Sequence, residues 1–465
     1  MKILQHKIPD TWQWVEISQI GNIETGTTPS KKDKSNYGVD FPFYKPTELE
    51  AGINVRESRE RLSKKGIKKA RLLPKNSILV TCIGATIGKT GIIRNEGASN
   101  QQINSIIPVG SIKPNFVYYQ VICPLFQNQI IKRSSSTTLP ILNKSRFSKL
   151  LFALPSQNEQ NRIVEKIEEL FSDLGKATED LKKIQEQLKI YRQAVLKAAF
   201  EGKLTEKWRR KNELKLPEEI LKIRHNNIKE IYKIPVSWKW LFLNDIGFVV
   251  SGGTPSTKEP KYFNGEIPWI TPKDLSGYNK KYISKGSRNI SKKGLKKSSA
   301  KLLPKGSIVF SSRAPIGYTA ITENELCTNQ GFKNLVLNDG INSEYVYYYL
   351  RNNKSLAERY ASGTTFKEIS GSKFAILPMP LCNLKEQEQV VNEIESRLSV
   401  CDKIEKTVEY SLNKIKYLRQ SILKKAFEGK LVPQDPNDEP TEKLLERIKQ
   451  EKRKFEFNNK KRKTR

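Results

Sequence analysis

The chain has 465 residues, room for roughly two to four domains. Hydrophobic residues make up 37% and charged residues 28%, and no apolar run approaches the roughly 18 residues of a membrane span. Lys and Arg number 83 against 49 Asp and Glu, and the resulting +34 attracts polyanions, nucleic acid first among them.

Met1 to Lys7 carries no apolar signal region, so a cytoplasmic protein is expected. The first elements are Ile8-Pro9 and the Trp12-Gln13-Trp14 pair, followed by the turn Thr25-Gly26-Thr27-Thr28-Pro29-Ser30. An apolar stretch, Phe41-Pro42-Phe43-Tyr44, leads into Lys45-Pro46-Thr47. A short helix is predicted over Ser63–Lys69, and Leu72 to Val80 reads as a turn feeding a buried strand. Gly84 to Thr90 looks like a phosphate-binding loop, but three residues separate its glycines where the motif needs four. The following Gly91-Ile92-Ile93 is strand-like, so a strand-to-strand turn is the better reading. Asn100-Gln101 marks a further turn, and an aromatic helix is predicted around Val117-Tyr118-Tyr119.

All of this is written twice. Trp238-Lys239-Trp240 follows Ile234-Pro235, and Ser251-Gly252-Gly253-Thr254-Pro255-Ser256 repeats the Gly-Thr turn. Ile267 to Leu275, Ser291–Lys297, Leu302 to Phe310, Asn329-Gln330 and Val346-Tyr347-Tyr348 repeat the rest in order. Each copy reads as a mixed α/β domain with many short strands.

A long helix follows each copy. Ile163, Ile167, Leu170, Leu174, Ala177, Leu181, Ile184, Leu188, Tyr191 and Val195 are spaced alternately four and three apart, a heptad stripe. Moved by 227, the stripe becomes Val390, Ile394, Arg397, Cys401, Ile404, Val408, Ser411, Ile415, Leu418 and Ile422. Two matched stripes in one chain most simply pack on each other, antiparallel; the alternative is that each helix lies on its own domain. Gly202 and Gly429 suit the helix ends. The expected organisation is a domain over 1–155, a helix over 156–204, a basic and mostly helical connector over 205–233, a second domain over 234–381, a second helix over 382–431 and a charged tail over 432–465. A charged helix near Leu444 and a disordered basic end over 460–465 are expected in that tail.

Chemistry-bearing motifs are scarce. Cys82, Cys123, Cys327, Cys382 and Cys401 are dispersed and read as buried thiols, with no metal site implied. His6 and His225 stand near no recognisable acid or nucleophile and read as solvated loop positions. Neither an amino-methyltransferase motif nor a nuclease constellation is visible. The basic groups are Lys31, Lys32, Lys64, Lys65, Lys68, Lys69 and Arg71 in the first copy. In the second they are Lys258, Lys292, Lys293, Lys296 and Lys297. Such groups suit phosphates, or else are ordinary solvated faces. Base edges call for polar loops: Lys45, Thr47, Arg133, Ser135 and Thr137, then Lys273, Arg313, Thr364, Thr365 and Lys367. Ordinary turn chemistry is the competing account of the Ser/Thr loops.

Taken in order and duplicated, these motifs resemble the DNA-specificity subunit of type I restriction–modification systems. The resemblance covers nearly the whole chain. It includes Leu154-Pro155, Glu159-Gln160 and Ile163-Val164 at the first helix, Arg192 to Thr205 at its end, and Gly429 to Pro440 after the second. One departure is Pro380 to Gln387, where two extra residues separate Pro from Glu-Gln and leave the second helix start open. The resemblance implies an α+β fold: two target-recognition domains, each followed by a spacer helix, the two helices forming an antiparallel coiled coil with pseudo-twofold symmetry. It implies that the chain reads a bipartite, asymmetric site in double-stranded DNA and has no catalytic or metal-binding residues of its own. Two methyltransferase subunits and a restriction/translocase subunit would be its partners, and would carry S-adenosylmethionine, ATP and magnesium. A free-standing tandem nucleic-acid-binding protein is the alternative; an enzyme in its own right would need a site that the sequence does not display.

Overall fold

The structure is a computed structural model that describes residues 6–135, 139–212, 214–225, 228, 230–363 and 367–463. It divides into two compact units, residues 1–181 with 409–465, and residues 182–408.

The first unit has nine strands among the described residues: β1 (Gln13–Glu16), β2 (Gly21–Thr25), β3 (Tyr37–Tyr44), β4 (Glu60–Leu62), β5 (Ile78–Thr81), β6 (Thr90–Ile92), β7 (Ala98–Ser99), β8 (Ile103–Pro108) and β9 (Leu151–Leu154). They form a four-stranded antiparallel sheet, β2-β8-β5-β6, a three-stranded sheet, β4-β3-β7, and the ribbon β1-β9. Strand β5 is buried along its whole length. Ile78 and Val80 join the main core with the helix Pro114–Ile122, while Leu79 packs on the other face with Tyr44, Leu49 and Val55. Covering both faces explains a continuous apolar strand where one-sided burial would give alternation.

The second unit repeats the plan with β10 (Lys239–Phe242), β11 (Gly247–Ser251), β12 (Phe263–Ile270), β13 (Tyr282–Ile283), β14 (Arg288–Ile290), β15 (Ile308–Ser311), β16 (Thr319–Thr322), β17 (Cys327–Thr328), β18 (Phe332–Leu337) and β19 (Pro378–Leu381). Its main sheet is β11-β18-β15-β16-β13, beside a smaller sheet β14-β12-β17 and the ribbon β10-β19.

The long helices, Gln157–Phe200 and Leu384–Phe427, have 44 residues each. At about 1.5 Å per residue each is roughly 66 Å long. Ser156 Oγ accepts from Glu159 N at 3.1 Å and Asn383 Oδ1 from Glu386 N at 3.0 Å, so both starts carry a side-chain cap. The helices end before Gly202 and Gly429, whose φ angles of 71° and 70° are left-handed, as their C-terminal role requires. In the first unit, Ile163 and Ile167 share a core with Leu423, Ala426 and Phe427, and the Arg419 guanidinium lies 5.0 Å from the Phe171 ring centre. In the second, Ala199 and Phe200 share a core with Val390, Val391 and Ile394, and Arg192 Nη2 lies 2.6 Å from Asp402 Oδ1. Early residues of one helix thus meet late residues of the other, the antiparallel arrangement expected.

Several expectations need correction. The stripe is only partly buried. Ala177 and Tyr191 are exposed, Leu170, Leu174, Leu181, Ile184 and Ile422 are half-buried, and Ile163, Ile167, Leu188, Val390, Ile394, Val408 and Ile415 are buried. Ile404 and Leu418 are 39% and 40% exposed and do not belong to the buried seam. Phe171, Thr178, Gln185 and Arg192, outside the stripe, are half-buried, and Phe171 and Arg192 meet Arg419 and Asp402 of the other helix. Among its described residues the connector holds two short helices, Glu206–Asn212 and Glu218–Lys222. The second helix has no shifted start: β19 and β9 lie 227 apart, as the helix starts do, and Cys382 stands where Pro155 stands. The tail is not a free appendage. Its helix spans Thr441–Lys463, which makes 460–463 helical, and Leu444 and Ile448 are fully buried in the first unit. Glu451 accepts from Ser111 N at 3.0 Å and Ser111 Oγ at 2.6 Å.

Both histidines have partners. His6 Nε2 lies 2.8 Å from Phe427 O and its ring meets Trp14 edge-on; His225 Nε2 lies 2.7 Å from Asp245 Oδ2. All five cysteines are free and buried. Burial pushes the Cys82, Cys123 and Cys327 thiols up to about 12.

Candidate nucleic-acid interface

Strand register brings four loops to one end of the main sheet in the first unit. Thr25, at the end of β2, faces Asn104 of β8, and Asn104 faces Val80 of β5. The turns after β2, between β5 and β6, and between β7 and β8 therefore emerge side by side. The fourth loop is pinned over them: Ser135 and Ile83 both bridge to Ile141, and Gly84 N donates to Pro140 O at 3.0 Å. The chain packs closely here, since a Cβ on Gly26 would sit 2.0 Å from Asn100 O. Thr28 Oγ1 donates to Gln101 Oε1 across the gap.

The second unit builds the same end from its own residues. Ser251 faces Lys333, and Lys333 faces Phe310. Arg313 and Ser362 both bridge to Glu368, Ser312 N donates to Gly331 O at 2.7 Å, and Ile369 N to Ser312 O at 3.0 Å. A Cβ on Gly252 would sit 1.9 Å from Asn329 O, and Thr254 Oγ1 donates to Gln330 Oε1.

The sequence-derived candidates fall into two sets. Arg71 and Ser135 lie at the first sheet end, and Arg313 and exposed Lys367 at the second; Arg133, whose Nη1 donates to Lys149 O, borders the first. Thr137, Thr364 and Thr365 lie outside the described residues. The other lysines gather on the smaller sheets and their short helices, Lys64–Lys69 and Lys292–Lys296. Those helices form where expected because Ser63 and Ser291 cap them, accepting from Gly66 N at 3.0 Å and Gly294 N at 3.1 Å.

Their charges are not equally available. Glu60 pairs with Lys45 and, at 3.6 Å, with Lys31; Asp33 pairs with Lys65 at 3.3 Å and Lys69 at 3.1 Å. The Ser35 hydroxyl and these two lysines hold the Asp33 carboxyl far below its ordinary range, and Lys45 does the same, less strongly, for Glu60. In the second unit Lys292 reaches Glu266 at 3.2 Å, whereas Lys258, Lys273, Lys293, Lys296 and Lys297 are exposed and make no ion pair among the described residues. Lys32, Lys64 and Lys68 are also exposed and without an ion pair there, and Thr47 Oγ1 donates to Glu48 Oε2 at 3.0 Å.

Sequence reasoning missed Glu24, Lys144, Glu368 and Lys333, which join the sheet-end groups. Lys144 opens a short helix directly after the Ser/Thr loop, a signal that was readable. The two carboxylates carried none, because only folding brings them beside the arginines.

A duplicated sheet end, ringed by cations and polar loops and joined to long helices, defines a DNA-recognition architecture. Residues 9–189 and 235–414 each match the type I restriction modification DNA specificity domain. The chain therefore belongs to the type I restriction–modification specificity subunits. It is 26% identical to the EcoDI specificity subunit of Escherichia coli over 96% of both chains. It is 46% identical to the MjaIX specificity subunit of Methanocaldococcus jannaschii over 164 residues, which span 35% of this chain and 38% of that one. Among solved structures, the HsdS subunit from Thermoanaerobacter tengcongensis superposes with a TM-score of 0.59 at 17% identity, covering 93% of this chain and all of that one. A chain from a structure concerned with complex assembly and conformational transition of the type I R-M system gives 0.68 at 18%, covering 92% of this chain and 100% of that one. No helix among the described residues is long and apolar enough to cross a membrane.

Proposed function

We propose that each unit reads one half of a split, asymmetric site in duplex DNA with its sheet-end loops, and that the chain does no chemistry itself. The observation that carries this reading is the repeated convergence of four loops on one sheet end, with different cations in each copy: Arg71 and Lys144 in one, Arg313 and Lys333 in the other. Different side chains on one scaffold support different half-sites. The lysines of the smaller sheets contact phosphates and set orientation.

The chain brings two methyltransferase subunits and a restriction/translocase subunit to the site. Apolar residues left exposed on the long helices support such partners: Ile190, Val400 and Ile404 in one unit, Tyr410, Tyr417 and Leu418 in the other. S-adenosylmethionine, ATP and magnesium act on those subunits, in the cytoplasm. The test is to sequence adenine methylation in a host expressing this chain with a type I methyltransferase subunit. One split, asymmetric motif that disappears when this chain is omitted is the expected result. Co-purification of the two proteins without any motif would overturn it, and failure to associate would favour a free-standing DNA-binding protein.

A further inference from the structure

Each unit holds one carboxylate between an arginine and a lysine at the end of its main sheet. In the first, Glu24 Oε2 lies 3.7 Å from Arg71 Nη1 and 3.6 Å from Lys144 Nζ. In the second, Glu368 Oε2 lies 3.6 Å from Arg313 Nη1, and Glu368 Oε1 lies 3.7 Å from Lys333 Nζ. Arg71 also donates to Thr25 O at 2.6 Å, so its place is fixed by the strand end. Lys333 is mostly buried; the other members are about half exposed. Exposed ion pairs add little to stability, so stability does not explain this recurrence. Nor does phosphate binding, which a carboxylate opposes.

A base pair does explain it. The major-groove edge of G·C offers two acceptors on guanine, N7 and O6, beside a donor on cytosine, N4. An arginine next to a glutamate offers donors next to an acceptor, the complement of that edge. An A·T edge puts the adenine N6 donor where the arginine needs its second acceptor, and the thymine O4 acceptor where the glutamate needs its donor. We propose that Arg71 with Glu24, and Arg313 with Glu368, each read one G·C pair in the half-site of their own unit, with Lys144 and Lys333 steering the carboxylates. The proposal rests on the half-site reading above. Glu24 comes from β2 and Glu368 from the loop that bridges to Arg313, so the two pairs sit at different places on a shared scaffold. The G·C pair therefore falls at a different position in each half-site.

The test expresses Arg313→Ala, Glu368→Gln, Arg71→Ala and Glu24→Gln separately with the methyltransferase subunit and reads the methylated motif of each. Arg313→Ala and Glu368→Gln should relax the same single G·C position of one half-site and leave the other half unchanged. Arg71→Ala and Glu24→Gln should do so in the other half. The intact half-site reports a folded chain. For a variant giving no methylation, competition binding of the purified complex replaces the motif: wild type should prefer the G·C duplex by about tenfold or more, and the variant by much less. Unaltered discrimination in either assay, or relaxation scattered over both half-sites, overturns the assignment. A wild-type chain that delivers no split motif defeats the half-site reading itself, and this assignment falls with it.

Discussion

Glu159 is a carboxylate 2% exposed, and its direct donors are neutral: Trp12 Nε1 at 2.9 Å and Gln434 Nε2 at 2.5 Å. Burial outweighs these bonds and the Arg162 charge and raises its pKa above 4.5. Its counterpart Glu386 receives the Arg209 guanidinium at 2.7 Å, whereas Glu159 has no ion pair among the described residues. The folded chain holds the Glu159 proton more tightly than the unfolded chain does. Stability from this group is thus present at low pH and lost as pH rises through the window above 4.5. Asp438 works in the opposite sense: bidentate Arg162, at 2.8 and 3.1 Å, lowers its pKa, so its contribution is lost as pH falls below 3.8. Glu159→Gln should therefore gain melting temperature on wild type as pH rises from about 4 to 7. Parallel melting curves across that range would refute the assignment. The helix-end glycines give a second residue-scale prediction. Gly429 has φ 70° and a Cβ there would lie 2.2 Å from Pro9 Cγ, whereas Gly306, at φ 85°, has open space around it. Gly306→Ala should cost about 1 kcal/mol from backbone strain alone, and Gly429→Ala about 2–4 kcal/mol with the overlap added. Denaturant midpoints decide it, and equal losses would mean that Pro9 yields freely.

At the scale of the element, the coiled coil shows how a correct pattern misplaces individual residues. The stripe positions one heptad apart, Ile167, Leu174, Leu181, Leu188 and Val195, stay inside or at the edge of the seam. The intervening Ala177 and Tyr191 are exposed, whereas their neighbours Thr178 and Arg192 are half-buried. Those are polar residues, which a hydrophobic pattern does not count. The duplicated architecture, the capped short helices and the turn replacing a phosphate loop were legible because each depends on local chemistry. The sheet-end site was half legible: its arginines stood out as cations, but their carboxylates come from distant elements, and no periodicity reports that. The seam makes a test. Ile394→Ala removes a fully buried side chain and should cost about 2–5 kcal/mol. Ile404→Ala, on the exposed flank, should change the stability of the free chain by less than about 0.5 kcal/mol. Equal losses would restore Ile404 to the seam.

For the whole molecule, a net charge of +34 overstates what a DNA backbone can feel. Counterion release counts the cations that actually neutralise phosphates, and log K falls against log salt with a slope near −0.9 per contact. Lys65 and Lys69 flank Asp33, so a phosphate meeting them must compete with a carboxylate already in place. Lys293 and Lys297 are exposed and form no ion pair among the described residues; the carboxylate that acts on Lys293, Glu259, is paired with Lys261 instead. Replacing Lys293 and Lys297 with Ala should flatten the salt slope by about 2, whereas replacing Lys65 and Lys69 should flatten it by less. Neither pair should alter the preferred sequence, since phosphate contacts carry no base information. Arg313→Ala reverses that pattern, losing base preference with a slope change of at most about 1. Fluorescence anisotropy of the assembled complex on a cognate and a mismatched duplex, between about 50 and 200 mM salt, separates the two behaviours. Equal slope losses from both lysine pairs would show that Asp33 is displaced without cost. A lysine pair that changed base preference would instead place the short helices in the groove and move the recognition surface away from the sheet ends.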